Sequence, residues 1–552
     1  MRGIFLGIDV GGTHTDGVAV EEGRVLHKVK VPTHADLREC TLDALEELLD
    51  GINPRAVRRV VLSTTLVTNA VVQGDLEPTG TLVTAGPGIS PRLLALDDRF
   101  RVVPGAVDHR GREIVPLDEE AARRLLDELA AAGIRVLAVA GKFSTRNPTH
   151  ERRLAELAGD RFDFVALGHE LAGTLNFPRR IATAYLAAGA WRLHRTFVAS
   201  MTDALRRFSV LAPLYLLRAD GGTHAARTLA NPAETALSGP AASALGTLAL
   251  DTVAAETVGL DIGGTTTDIC LFSAGAPLLE PQGATIGPYL TQIRALFTRS
   301  APAGGDSWVR LEDGEIRVGP RRFGPPAALG GTHPTPTDAL VVLGRAVGNR
   351  QRALEALAPL ADGLGVLPEE AARRILQAWA AEIARAVRRT LDEVNARPVY
   401  TLHELLEGHR VRPARILAVG GPARAIAPYV EEAIGLPVTV PNHFDVANAV
   451  GAAVARVNAE VHAVADTARG YLSIPEAGVY EEIPSSFPLA DLQTRATEAA
   501  LVAARSKGEL DPAAPVDIAD VESFNVIEGF ATVGRIHRLR AQIRPGILSR
   551  VD

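Results

Sequence analysis

The stretch Val258–Phe272, VGLDIGGTTTDICLF, decides the fold of this chain. Two apolar runs flank a Gly-Gly-Thr turn at Gly263–Thr265, and hydroxyl side chains surround that turn. Such a pattern predicts two strands joined as a hairpin. Glycines let the backbone approach a ligand closely, and successive backbone N–H groups in the turn form a concave site for an anion. We therefore predict a hairpin whose tip binds an anionic group.

The same pattern occurs near the start of the chain, at Leu6–Val20, LGIDVGGTHTDGVAV. When Asp9 is aligned with Asp261, the glycines, two threonines and a second aspartate all coincide. The copies lie 252 residues apart (261 − 9), whereas solenoid repeats have periods of roughly 20–50 residues. The sequence therefore predicts two duplicated domains that hold a nucleotide between them. We call Leu6–Val20 hairpin 1 and Val258–Phe272 hairpin 2.

Length and composition indicate a globular enzyme. The 552 residues are 47% hydrophobic and 22% charged, enough for roughly two to four domains with real cores. The net charge of −7 and the lack of a basic block argue against nucleic acid or a membrane surface as partner. The sequence shows neither a signal peptide nor an apolar run of transmembrane length. We expect a cytoplasmic protein whose only cysteines, Cys40 and Cys270, are buried and inert.

Periodicity predicts alternating helices and strands, as in an α/β fold. The clearest helix is 368–395, where apolar residues recur every three or four positions after Pro368 and two glutamates. A long Ala-rich helix is expected at 182–208, and the Gly/Pro-rich stretch 283–336 is expected to be a functional or inserted β-region. The predicted domains are 1–180 with hairpin 1, a linking helical and strand region at 181–256, 257–460 with hairpin 2 and an adenosine corner, and a small α+β module at 461–552.

Polar corners follow several predicted strands, where open α/β sheets bind ligands. Candidate substrate residues in these corners are Thr64, Thr65, Asn69, Asp220 and Ser238. Ser, Thr and Asn are also ordinary helix N-caps, so a structural interpretation stays open. The pair His169-Glu170 is interpreted as a surface contact, and the group His403, Glu404, Glu407 and His409 as the polar face of a helix, since its spacing is not that of a zinc site.

The two hairpins and a later strand–Gly-Gly–helix corner resemble the phosphate-1, phosphate-2 and adenosine set of the acetate and sugar kinase/Hsp70/actin (ASKHA) superfamily. By this resemblance the chain binds ATP with Mg²⁺. Asp9 and Asp261 are the candidates to hold the metal through waters or to orient a nucleophile. Asp16 and Asp268 are expected to brace the hairpins by accepting backbone N–H bonds. The candidate nucleotide-binding residues are Gly11, Gly12, Thr13, Thr15, Gly263, Gly264, Thr265, Thr267, Gly420 and Gly421.

Within that superfamily, residues 4 to 460 resemble the hydantoinase/oxoprolinase family, A-type subunit. The resemblance rests on both hairpins and on the motifs TTLVTNA (Thr64–Ala70), VDHRG (Val107–Gly111), NPTHE (Asn147–Glu151), LSGPA (Leu237–Ala241), PTPTDAL (Pro334–Leu340) and NAVGAA (Asn448–Ala453). The chain departs from the family pattern at Ser63, where a histidine is usual, and at Asp306, where a glycine is usual.

The resemblance implies an ATP-dependent hydrolase that activates the carbonyl oxygen of a cyclic amide, such as a hydantoin or 5-oxoproline, by phosphorylation. Asp9, Asp261 and Asp338 are the candidate catalytic residues. A B-type subunit often completes such reactions, and self-association into a homo-oligomer stays open. Rival interpretations are a small-molecule kinase, the ATP-binding subunit of a ketone carboxylase-like complex, a non-metabolic ATPase and an ATP-binding scaffold without turnover.

Overall fold

The computed structural model describes residues 3–33, 36–88, 90–253, 255–396, 410–508 and 515–552. It is a mixed α/β fold, and hairpin 1 lies in a six-stranded sheet. In spatial order the strands are Thr223–Ala225, Leu214–Leu217, Val57–Thr64, Ile4–Val10, His14–Glu21 and Arg24–Pro32. Ile4–Val10 pairs antiparallel with His14–Glu21 and parallel with Val57–Thr64. The region 181–256, predicted as a link, thus contributes two strands to this sheet.

A second, all-parallel sheet of four strands lies in the same half of the chain. Its order is Phe164–Leu167, Val136–Gly141, Thr79–Thr84 and Phe100–Val102. The helices up to residue 250 are Leu37–Leu49, Leu66–Gln73, Glu119–Ala131, Thr149–Ala158, Gly168–Leu171, Phe177–Arg207 and Ser238–Leu250. The long Ala-rich helix begins five residues earlier than predicted, because Pro178 is tolerated in the first turn of a helix and Asn176 caps it by accepting from Arg179 N at 3.4 Å.

Hairpin 2 repeats the arrangement of hairpin 1 in a third sheet. Thr257–Ile262 pairs antiparallel with Thr267–Ser273 and parallel with Arg415–Val419. Short strands at Ala276–Pro277, Thr298–Ala301 and Val438–Thr439 complete the sheet. The helix Pro368–Asn395 has the predicted bounds, and its Trp379 is fully buried against the sheet with Nε1 donating to Ala303 O at 3.1 Å. Further helices are Pro336–Val342, Arg350–Leu364, Ala423–Ile434 and Ala447–Val454.

The stretch 283–336 is an inserted region of short strands, as predicted. Thr285–Ile286 pairs with Tyr289–Leu290, and Val309–Glu312 pairs with Glu315–Val318. The group around His403 lies outside the described residues. Within the described ranges, no helix combines the length and hydropathy that a membrane span requires.

The C-terminal part is the predicted α+β module. It contains the helix Leu489–Ser506 and a five-stranded sheet. The sheet order is Val479–Glu482, Tyr471–Ile474, Ala459–Asp466, Ala531–Ile543 and Asp517–Glu528, with all neighbours antiparallel.

Two helices between the hairpin sheets pack with almost no space between their backbones. A Cβ added to Gly246 of Ser238–Leu250 would lie 2.0 Å from Ala447 O, and one added to Gly451 of Ala447–Val454 would lie 2.1 Å from Ala242 O. The helix Ala447–Val454 also packs on the first sheet, because a Cβ on Gly7 would lie 2.1 Å from Ala449 O. Glycines therefore set the spacing of the two halves.

We expect Gly246→Ala to lower the free energy of unfolding by about 3 kcal/mol, because the added methyl group meets backbone that must shift. Denaturant unfolding followed by circular dichroism measures the change. Gly239→Ala in the same helix is the matched control, since a Cβ there meets no atom within 4 Å. We expect that variant to be neutral or slightly stabilised. Equal losses in both variants would contradict this account of the packing.

Candidate functional site

The turns of the two hairpins are built alike. Gly11 N donates to His14 O at 3.1 Å, and Gly263 N donates to Thr266 O at 2.9 Å. Asp9 lies opposite Asp16 in the first strand pair, and Asp261 lies opposite Asp268 in the second. The similarity seen in the sequence is therefore also a similarity of backbone geometry.

Asn448 joins the two hairpins. Its Nδ2 donates to Asp261 Oδ2 at 3.0 Å, and its side chain lies close enough to Asp9 to lower the pKa of that carboxyl. Burial raises the pKa of Asp9 to about 7, the charges of Asp16 and Asp261 add to this rise, and the bonds from Ser63 and Asn448 oppose it. Burial likewise raises the pKa of Asp261. The structure thus brings together two carboxylates that the sequence separates by 252 residues (261 − 9).

Asp9 and Asp261 have the chemistry of a magnesium site. Asp9 is buried and Asp261 is half-buried, and two neighbouring carboxylates repel one another, so a divalent cation would relieve that repulsion. In the described part of the chain, no cluster of three or more His, Cys, Asp or Glu side chains is placed to hold a metal ion. Mg²⁺ is commonly held by one or two carboxylates while it keeps several waters, so a pair fits this ion.

The second aspartate of each hairpin has a different environment. Asp16 is braced, but by Lys30 Nζ at 2.7 Å and not by the backbone N–H bond that we expected. Burial and the charge of Asp261 raise the pKa of Asp268 to about 7, and a bond to Ser300 opposes the rise.

The nucleotide-binding candidates fall into two groups. Gly12 and Thr265 are exposed at the turns, and Gly421 faces open space. Thr15 and Thr267 are instead fully buried. The hydroxyl of Thr15 bonds Thr33 Oγ1 at 3.0 Å, and the hydroxyl of Thr267 donates to Ala303 O at 2.7 Å. The geometry therefore favours a structural role for these two threonines, because their polar groups are already satisfied within the protein.

The Gly420-Gly421 corner lies directly against hairpin 2. Gly420 has a φ of +94°, and a Cβ there would lie 2.4 Å from Ile262 O and 2.6 Å from Asp261 Oδ1. Only glycine permits both the left-handed backbone and this approach. The corner predicted for adenosine is thus in contact with the predicted phosphate site.

Sequence reasoning did not identify three charged groups beside the turns, which are the cations Lys30 and Arg322 and the carboxylate of Asp306. Asp306 N donates to Gly264 O at 2.6 Å, and Arg322 Nη2 lies 3.1 Å from Asp306 Oδ2. Burial lowers the pKa of His14 in hairpin 1, and the charges of Lys30 and Arg322 lower it further. Cations from both halves therefore flank the turns. The departure at Asp306 from the family pattern was the one available signal.

A cavity of 990 Å³ adjoins hairpin 1 and includes two substrate candidates. It is lined by the turn glycines Gly11 and Gly12, by Thr65 and Asn69, and by the long helix at Phe197. Thr65 occupies the N-cap position of the helix Leu66–Gln73, but its side chain makes no capping bond. Among the described residues, its hydroxyl accepts only from Asn69 Nδ2 at 3.3 Å and is otherwise available.

Three other candidates do not face this cavity. Thr64 and Ser238 are buried and bond each other, with Ser238 Oγ donating to Thr64 O at 3.0 Å and accepting from Thr64 N at 3.1 Å. Asp220 lines a different cavity and pairs with Arg218 at 3.0 Å. The shared strand-end position did not bring these side chains to one site.

Asp338 is a helix-capping residue. Its oxygens accept from Ala327 N, Ala328 N, Thr335 N and Thr335 Oγ1 at 2.7–3.2 Å, and it is fully buried. A carboxylate held by four donors has little capacity left for a metal or a proton. The geometry disfavours the catalytic role predicted for Asp338 and places it in a capping box with Thr335.

The fold and this site define an α/β protein in which two like hairpins meet at a pair of carboxylates. The hydantoinase/oxoprolinase family model matches residues 180–461, and the model of its N-terminal region matches residues 5–162. The chain therefore belongs to the hydantoinase/oxoprolinase family.

Individual relatives are distant. The chain is 25% identical over 488 residues to caprolactamase subunit alpha of Pseudomonas jessenii, covering 79% of this chain and 68% of that one. It is 28% identical over 444 residues to acetophenone carboxylase gamma subunit of Aromatoleum aromaticum, covering 69% and 60%. The crystal structure of the ATP-dependent caprolactamase from Pseudomonas jessenii superposes with a TM-score of 0.72 at 20% identity, covering 97% of this chain and 87% of that one, and thus shares the fold.

Proposed function

We propose that this chain is an ATP-dependent hydrolase that activates the carbonyl oxygen of a cyclic amide for ring opening. The observation that carries the proposal is the shared contact of Asn448 with Asp9 and Asp261, which holds the two hairpins together. The likeness of the two hairpins supports the duplicated ASKHA arrangement that is part of this proposal. Relatives named as an ATP-dependent caprolactamase and its subunit support both the nucleotide and the class of substrate.

Each chain element has a distinct task in this proposal. The turn N–H groups of both hairpins bind the β- and γ-phosphates, and the Gly420-Gly421 corner approaches the adenosine. Asp9 and Asp261 hold Mg²⁺, which supplies charge neutralisation to the phosphates when bound. Thr65 and Asn69 orient the ring in the adjoining cavity. Lys30 and Arg322 add positive charge beside the turns.

The reaction balances with two waters. The carbonyl oxygen forms a bond to the γ-phosphorus while the bond from that phosphorus to the β,γ-bridging oxygen breaks, and ADP leaves. Water adds to the activated carbon, and the C–N bond then breaks with a proton going to nitrogen. A second water releases phosphate from the resulting acyl phosphate. The products are a ring-opened amino acid, ADP and phosphate.

A partner subunit is part of the proposal. The relatives that match are named as subunits, alpha in one case and gamma in the other. We infer that a B-type subunit works with this chain on the activated ring. The carboxylase relative also favours a second candidate function, the ATP-dependent activation of a ketone for carboxylation.

The test is ADP release by the purified chain with Mg-ATP against 5-oxoproline, hydantoins, ε-caprolactam and small ketones with bicarbonate. We expect one cyclic amide to stimulate ADP release, with an equal amount of ring-opened product once the partner is added. Stimulation by a ketone that requires bicarbonate would support the carboxylase function instead. A stable phosphoester product would overturn both and identify a kinase.

A further inference from the structure

A cavity of 1010 Å³ lies where the first sheet, the inserted region and the C-terminal module meet. It contains no residue of either hairpin. Its walls include the corner after Leu214–Leu217, the segment 279–283 and the end of the helix Leu489–Ser506. The proposed ATP chemistry makes no use of it. We call it the Lys507 cavity.

Most charges in its walls neutralise one another. Arg218 pairs with Asp220 at 3.0 Å and with Glu234 at 2.8 Å. Arg294 and Arg540 each lie 3.1 Å from the carboxylate of Glu460. His462 Nδ1 lies 2.6 Å from Glu476 Oε1, and Arg540 Nε lies 2.8 Å from Asp520 Oδ2. The lining as a whole holds seven carboxylates and four Lys or Arg side chains, so its acidic groups outnumber its cations.

Lys507 is different. Among the described residues, its ammonium group has neither a hydrogen bond nor an ion pair. Its backbone is fixed, since Lys507 O accepts from Ala225 N at 2.8 Å and the residue follows directly on the helix Leu489–Ser506. The cavity therefore presents one ammonium group, on a fixed backbone, that has no paired carboxylate among the described residues.

Several buried polar atoms in the same walls also lack hydrogen-bond partners in the described part of the chain, including an amide nitrogen and an imidazole nitrogen. Asn231 is 3% exposed and its Nδ2 makes no bond, and His224 is 7% exposed with no bond at Nδ1. A buried donor without a partner costs about 1–3 kcal/mol, so such groups commonly face a ligand or water. The lining also includes the aliphatic side chains of Leu229, Leu279 and Ile293.

We propose that the Lys507 cavity binds a small organic monocarboxylate, with the carboxylate on Lys507 and Asn231 and the hydrocarbon part against Leu229, Leu279 and Ile293. Lys507 supplies one positive charge to a ligand with one negative charge. A phosphate dianion has twice that charge, so the carboxylates of Glu234 and Glu460 would repel it more strongly, and it would leave the aliphatic side chains unused. An ammonium that accepts a carboxylate in a partly dry site forms a charge-assisted hydrogen bond, which is about twice as strong as a neutral one.

The composition of the chain gives a direct probe of this site, because Lys28, Lys30, Lys142 and Lys507 are its only lysines. Reductive methylation with ¹³C-formaldehyde keeps their charge and yields a small set of dimethyllysine signals. The signal that disappears in Lys507→Arg is that of Lys507. We expect butyrate and hexanoate to shift this signal saturably, with a Kd at or below about 1 mM and tighter for hexanoate.

The variants separate this site from the nucleotide site. Lys507→Met should weaken hexanoate binding by at least about tenfold in calorimetry, the loss of one charge-assisted bond. Lys142→Met, whose ammonium donates to Pro87 O, should leave it unchanged. Asp261→Asn should also leave it unchanged, so failure of the ATP proposal would not remove this one. Asn231→Ala provides a second weakened variant if Lys507→Met folds poorly.

The affinity should also depend on pH in one direction. Burial lowers the pKa of Lys507 to about 8, Arg218 and Arg294 lower it further, and Glu234 and Asp220 oppose them. Carboxylate binding should therefore weaken as pH rises through about 8, where the ammonium loses its proton. Absence of any Lys507 shift with the carboxylates, or an equal shift with inorganic phosphate, would overturn the proposal.

Discussion

Asp261→Asn should reduce ADP release by a factor on the order of 10²–10³ while the protein stays folded and still binds the adenosine part of ATP. The substitution keeps the shape of the side chain and a bonding partner for Asn448, and it removes one of the two carboxylates that face each other across the hairpins. The charge that would hold a divalent cation is halved. Steady-state ADP release at saturating Mg-ATP, with the cyclic amide found by the panel, measures the effect.

The stability of this variant makes the result interpretable. Burial raises the pKa of Asp261. At a pH above the ordinary pKa of an aspartate, the charged side chain therefore destabilises the folded state, whereas a neutral isostere does not. We expect the melting temperature without nucleotide to be equal to or above that of the parent protein at pH 8. Asp313→Asn, the same change at an exposed turn, is the matched control and should keep full activity. Full ADP release by Asp261→Asn would remove this residue from the mechanism.

Glu151→Gln should lower the free energy of unfolding by about 3–5 kcal/mol at pH 7, because it removes a buried carboxylate and leaves the buried guanidinium of Arg180 without that opposing charge. Glu151 is fully buried. Its Oε2 lies 2.6 Å from His169 Nδ1 and accepts from His169 N at 2.9 Å, and its Oε1 accepts from Gly141 N at 2.7 Å. A glutamine would turn an amide group toward one of these donors. Denaturant midpoints at pH 7 measure the loss.

The pH dependence of this loss follows from the pKa of Glu151. Burial would raise that pKa, but the bond and charge of His169 and the charge of Arg180 lower it below its ordinary value of about 4.5. The stabilisation is therefore fully present above that value and is lost as pH falls through the lower, folded-state pKa. The difference between Glu151→Gln and the parent protein should shrink in strongly acid solution.

Glu170→Gln is the control for the contact between Glu151 and His169. Glu170 is exposed and lies 3.9 Å from His169 Nε2, so we expect a change of less than about 0.5 kcal/mol. The prediction that His169 makes a surface contact is wrong, since the imidazole is fully buried and its partner is Glu151. A larger effect from Glu170→Gln than from Glu151→Gln would contradict the assignment.

Local sequence determined the parts of this protein that depend on neighbouring residues. Both hairpins follow from a glycine turn between apolar runs, and the helices Pro368–Asn395 and Leu489–Ser506 follow from apolar periodicity. These features are encoded within a few residues of where they form. The family, likewise, was evident from motifs that are contiguous in the chain.

Tertiary structure decided which polar groups are free to act. Thr15, Thr267 and Asp338 have suitable chemistry, but the packing of distant segments supplies partners that satisfy them. Asp220 lies at a strand end like Thr65, yet neighbouring chain places it in another cavity. Lys507 showed no pattern in the sequence, and only its half-buried position in a cavity wall, without a partner among the described residues, distinguishes it. The availability of a side chain depends on what folds against it, and no local pattern carries that information.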